Sequence, residues 1–146
     1  MAYNQAYNAY KTTNVKTASQ GRLVVLLYEE AVRQLSSASS MYDADKKLPV
    51  KNIEKFGNAI LKAQEIITEL QVSLDMEKGG EIASNLMALY IFFNKQLTEA
   101  NIKKDKDVLD SILKMMKDLC ESWTQAAASS ANAPAAPVQQ TLNIEG

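Results

Sequence analysis

The chain has 146 residues and a formal net charge of −1, with 16 Lys and Arg set among 17 Asp and Glu. That is one domain's worth of sequence, able to bury about two-thirds of its unfolded surface, and it lacks the basic field of a nucleic-acid binder. There is no histidine, which excludes histidine-based acid–base catalysis, the Ser-His-Asp arrangement and the Glu-x-x-His pairs with which bundles hold two irons.

The first segment, residues 1–16, reads as an arm. Tyr3, Tyr7 and Tyr10 stand at i, i+4 and i+7 and share one face if the arm is helical, yet the segment is too short to hold a helix alone in water. It is expected to order only when docked, its polar-tipped aromatics capping an apolar surface. Met1 to Tyr10 lack the charged start and apolar core of a signal peptide, and no apolar run approaches the roughly 20 residues of a membrane span. The reading is a soluble, cytoplasmic protein.

Four helices follow. Thr17 with Gln20 fits a capping box, and Ser19 is an equally good cap; the helix runs to about Tyr42, with Val24, Leu27, Tyr28, Ala31, Leu35, Ala38 and Tyr42 on one side. The second helix, about Val50 to Leu74, starts after Pro49 and carries Ile53, Phe56, Ile60, Ala63, Ile67, Leu70 and Leu74 in a 3,4 series. Gly79 and Gly80 supply the reversal. The third helix, about Glu81 to Ile102, turns Ile82, Leu86, Leu89, Phe93, Leu97 and Ala100 inward. Asp105 caps the fourth, with Val108, Leu109, Ile112, Met115, Met116, Leu119 and Trp123 as its stripe. Cys120, the one cysteine, lies in that packed stretch and reads as a small hydrophobe rather than a nucleophile. Lys103, Lys104 and Lys106 beside Asp105 and Asp107 read as a solvated turn. Short loops make consecutive helices antiparallel neighbours. The expected fold is an all-α antiparallel four-helix bundle over 17–126, with the arm at 1–16 and a flexible, Ala-, Ser- and Pro-rich tail at 127–146.

The third helix holds more apolar surface than one core face needs. Leu86 to Phe93 is an unbroken apolar run that covers the whole circumference, and Met87, Ile91, Thr98 and Ile102 lie opposite the core stripe. On the second helix Leu61 and Val72 point the same odd way. If the two strips adjoin, Leu61, Val72, Met87, Ile91 and Ile102 line a groove for an amphipathic or extended partner segment. Self-association through the same groove is the rival reading. An enzyme would need convergent polar groups, whereas Asp75, Glu77 and Glu81 are mixed with lysines as on a solvated surface.

The block Thr17-Ala18-Ser19-Gln20-Gly21-Arg22-Leu23-Val24-Val25-Leu26-Leu27-Tyr28-Glu29-Glu30-Ala31-Val32 resembles the opening signature of the flagellar export chaperone family, FliS. Leu74-Asp75-Met76-Glu77, then Asn85-Leu86 with Leu89-Tyr90, then Ala100-Asn101-Ile102 with Asp105, and finally Trp123 follow in the family's order. Gln20 stands where the family often has Pro, and Glu30 where it often has Gly. The resemblance implies a cytoplasmic chaperone, not an enzyme, that binds the disordered carboxy-terminal segment of flagellin. It would prevent premature polymerisation and keep flagellin competent for type III export. It admits the export apparatus and other flagellar regulators as further partners, and implies no cofactor, metal, nucleic acid or membrane. Tyr10 matches a tyrosine of the family's amino-terminal arm, which covers part of the client site.

Overall fold

A computed structural model describes residues 17–131, with side chains placed over 21–129. The arm tyrosines Tyr3, Tyr7 and Tyr10, the side chains of the proposed capping box and the last fifteen residues lie outside the described residues. Among those described there are four α-helices and no strand: α1 Thr17–Ser39, α2 Ile53–Ser73, α3 Met76–Lys103 and α4 Lys106–Ala131. α1 packs along α2 and α4, and α3 packs along the same two, so the helices form a closed antiparallel ring of four. Residues 17 and 131 therefore lie at one pole, and the α3–α4 turn at the other.

Local chemistry sets most boundaries. α1 ends at Ser39, three residues short of Tyr42, because Asp43 takes over the chain: its carboxylate accepts from the Asp45 and Lys47 amides while its own amide donates to the Lys47 carbonyl. Pro49 precedes a 3-10 turn, Val50–Asn52, and only then does α2 begin. The reversal between α2 and α3 falls at Leu74 and Asp75, whose backbones are extended, rather than at the glycine pair. Asp75 caps the new helix through the Glu77 and Lys78 amides at 3.1 and 2.9 Å, and an N-cap of this kind contributes about 1 kcal/mol. Gly80 instead kinks α3 after its first turn, at φ 54° and ψ −129°, a conformation essentially restricted to glycine. At the far end Lys104 closes α3 in a left-handed conformation. Asp105 then caps α4 through the Val108 amide.

Each helix touches two neighbours, so the buried stripes are broader than one periodic row. Ala59 and Ile66 on α2 and Ala83 and Tyr90 on α3 join the core beside the expected residues. Ile53 and Met115 do not: both are exposed, and Ile82, Leu89, Val108 and Leu119 are only half-buried. The centre of the bundle is aromatic. Tyr28 and Tyr90 bridge diagonally from α1 to α3 through their hydroxyls, 2.6 Å apart, and Trp123 of α4 lies with its ring 6.3 Å from Tyr28. Burial pushes the Tyr28 phenol up to about 12. It pushes Tyr90 further in the same direction, with the neighbouring Tyr28 adding to the effect. Both stay neutral at physiological pH, which lets one hydroxyl donate to the other without a buried charge.

At the opposite pole the basic residues are not simply solvated. Lys104 lies 5.3 Å over the Phe56 ring and donates to the Asn101 carbonyl, while Lys106 pairs with Asp110 at 2.7 Å. Asp110 also accepts from Ser39 of α1. Burial alone would raise the Asp110 carboxyl; the bonds from Lys106 and Ser39, together with the charges of Lys106 and Lys46, outweigh it and hold the group below its ordinary range. α4 itself continues to Ala131, so residues 127–131 of the Ala-rich stretch are helical.

Candidate functional site: the outer face of α2 and α3

Two polar ladders of side chains stitch α2 to α3 along their outer seam. The amide of Gln64 donates to the Asn94 carbonyl at 3.0 Å and to Thr98 Oγ1 at 2.9 Å. Asn94 Nδ2 donates to Gln71 Oε1 at 3.2 Å, and the Gln71 amide reaches Met87 Sδ at 3.5 Å. These bonds fix the antiparallel register: Leu61 sits at the level of Thr98 to Ile102, and Val72 at the level of Met87 to Ile91. Helical phase then places the apolar residues on the two rims. Leu61 and Val72 stand on the α2 side and Ile91 and Ile102 on the α3 side, each about a sixth to a fifth of a turn outward from the ladder.

All four rim residues project from the core, from 53% exposed for Leu61 to 74% for Ile102, and Met87 is half-buried between them. The structure thus brings the five sequence-derived positions to one outer face. It also adds what periodicity could not: the floor between the rims is hydrogen-bonded rather than oily. One acceptor on that floor, Asn94 Oδ1, is buried without a partner, an arrangement that costs on the order of 1–3 kcal/mol.

The apolar excess of α3 does not stop at Ile91. Phe92 is 42% exposed, although it was only one member of the Leu86–Phe93 run in the sequence. Its phase turns it to the α4 side of the helix. The signal was present in the length of that run, since eight consecutive apolar residues must reach both flanks of a helix.

Glu30, the unusual residue of the first block, has a local role. Its carboxylate takes both Arg33, at 2.6 Å, and Gln34, at 2.8 Å, on the same helix. Burial raises its carboxyl, but these donors and the charges of Arg33 and Lys62 outweigh that and lower it. It lies apart from the α2–α3 face.

A family model described as flagellar protein FliS matches residues 3–130. The chain belongs to the FliS family. Among curated relatives, the flagellar secretion chaperone FliS of Vibrio cholerae is 34% identical over 89% of this chain and 94% of its own length. The FliS of Bacillus subtilis is 30% identical over 88% and 91%, and that of Campylobacter jejuni 32% identical over 86% and 93%. The match covers residues 3–16 of the expected arm, the expected bundle and the first four residues of the expected tail. No helix among the described residues is long and apolar enough to cross a membrane.

Proposed function

We propose that this protein is a cytoplasmic export chaperone that binds the disordered carboxy-terminal segment of flagellin along the outer face of α2 and α3. The observation that carries the reading is the pair of exposed apolar rims, Leu61 with Val72 and Ile91 with Ile102, on a bundle whose relatives are named flagellar secretion chaperones. Apolar side chains aligned on one face of a small soluble bundle mark an interaction site. The polar floor supports the same reading, because an incoming extended backbone needs hydrogen-bonding groups as well as oily contact.

The arm of Tyr3, Tyr7 and Tyr10 covers part of this face in the free protein, and the client displaces it. A docked arm worth only about 1.4 kcal/mol weakens client binding tenfold. Ordering a disordered client costs a further 2–5 kcal/mol or so, so the interface must be large. Engagement of export components or other flagellar regulators would use surfaces left free by the client.

The test is the double substitution Met87→Ser with Ile91→Ser, titrated calorimetrically with a synthetic peptide of about the last forty flagellin residues. Wild-type binding should show a large negative heat-capacity change. The variant should keep its helicity, melt a few degrees lower because half-buried Met87 is truncated, and lose at least tenfold in affinity. Unchanged affinity would remove the groove assignment. Deleting residues 2–13 should tighten binding if the arm is a lid; a weaker complex would make it a clamp.

A further inference from the structure

The chain has two arginines, and the fold sets both on one stripe of α1. Arg22 and Arg33 are exposed, and half-buried Leu26 stands between them, four residues on from the first and seven before the second, which keeps all three on one face. That face is the outer one: Leu26 lies nine residues from Leu35, about half a turn out of phase with it, and Leu35 is buried in the core. Glu30 already takes Arg33, at 2.6 Å. Arg22 is the cation at the open end of the stripe.

Register brings the end of α4 close to this stripe. Ser39 of α1 donates to Asp110 of α4, and in an antiparallel pair thirteen residues along each chain bring Leu26 level with Trp123; the Tyr28 and Trp123 rings, 6.3 Å apart, agree. Ala131, where α4 ends, is eight residues past Trp123, or about 12 Å along the axis, and reaching the outer side of Leu26 also means crossing the girth of a helix, so the whole path is about 20 Å. Ile144 is thirteen residues on from Ala131, and a coil of that length spans about 20 Å.

Composition selects the occupant. Residues 132–146 carry one charged side chain, Glu145, beside the branched aliphatics Val138, Leu142 and Ile144. Leu142 and Ile144 are two apart, so both face one way on an extended backbone. Residues 1–16 carry Lys11 and Lys16 and no acid, which sets them against an arginine stripe. On the other flank of α4, the same end of α3 exposes Glu77 and Glu81, which repel Glu145. The match to the family ends at residue 130, so the segment lies outside what the family shares.

We infer that Leu142 and Ile144 dock on Leu26 at the outer stripe of α1, with the Glu145 carboxylate on Arg22, strapping the start of α1 to the end of α4. Tethering supplies most of the strength. A linker matched to its span gives an effective concentration in the millimolar range, so a contact of only millimolar affinity is occupied about half the time. The strap is also a built-in competitor, because any other acidic, apolar segment that takes this stripe must displace it.

A nitroxide on Asn143→Cys, in the full chain carrying Cys120→Ala, reports the contact through amide peak intensities with the label oxidised and then reduced. The amides of Leu26 to Arg33 should lose at least half their intensity, while those of Met87 to Phe92, at a similar height across the bundle, keep theirs. Arg22→Glu or Glu145→Lys alone should restore at least half of the lost intensity, and the two together should bring the loss back. A second reading needs no cysteine change: Glu145→Lys in the otherwise native chain should shift the amide resonances of Arg22 to Glu30. Unmoved resonances together with uniform weak broadening would overturn the strap. Broadening at Met87 to Phe92 instead would place the segment on the α2–α3 face, and broadening that fades on dilution into unlabelled chain would assign the contact to a second copy; either result overturns the inference as well.

Discussion

The two outer seams of α3 use the same helix for opposite purposes. Towards α2, side-chain amides and hydroxyls hold the helices in register through Gln64, Asn94 and Thr98; towards α4, Leu89 and Leu119 pack half-buried against the core. The difference teaches that exposed apolar residues report a binding face only together with what lies beneath them. A polar floor fixes register and offers partners to an incoming backbone, whereas an apolar floor discriminates little beyond shape.

Substitutions can sharpen this contrast or break it. The largest effect is expected from Leu89→Ala combined with Leu119→Ala, which removes half-buried floor packing and should cost about 2–4 kcal/mol in urea unfolding. Asn94→Ala, which gives up its bonds to the α2 side but also relieves a buried unpartnered oxygen, should cost about 1 kcal/mol or less. A larger loss for Asn94→Ala than for the leucine pair would reverse the assignment of which seam holds the bundle. Next in size, Gly80→Ala forces a Cβ into the left-handed, extended-ψ kink; although no atom lies within 4 Å of that Cβ, the backbone strain should cost about 1–3 kcal/mol. Urea unfolding would show it as well, and a neutral result would mean that the first turn of α3 swings freely at no cost. The smallest effect is that of Asp110→Asn at the far pole. The Asp110 carboxyl is lower in the folded protein than in the unfolded chain, so its stabilisation is fully present above its unfolded pKa and is lost as pH falls through the folded one. The variant should therefore melt slightly below wild type at pH 7, and the gap should close below about pH 4. A gap that widens in acid would contradict the pairing with Lys106.

Much of the fold was legible from periodicity. Phe56, Ile60, Ala63, Ile67 and Leu70 form the expected buried row, as do Leu86, Phe93, Leu97 and Ala100. The exposed strip could be read as well, because Leu61, Val72, Ile91 and Ile102 fall out of phase with those rows. Helix ends were less legible. Asp43 draws the chain out of α1 through bonds to residues two and four ahead, and propensity alone does not weigh such a loop against one more helical turn. The reversal before α3 was misplaced to the glycines because Asp75 caps a helical turn that precedes them. Phe92 and Met115 were hidden for a different reason. Each sits in an apolar stretch, and which flank of the stretch faces solvent depends on the neighbouring helix rather than on the residue itself.

An even number of antiparallel helices returns the chain to the pole from which it set out. Residues 17 and 131 therefore emerge on the side of Val72 and Met76, whereas the Asp43–Lys47 loop and the Lys104–Asp105 turn close the other pole. A fluorophore on the exposed Met76 would stand at the Val72 end of the proposed client face and report encounters there. One near Asp45 would stand at the other pole, where Lys46 pairs with Asp107 five residues beyond Ile102, and would report whether a bound segment spans the whole face.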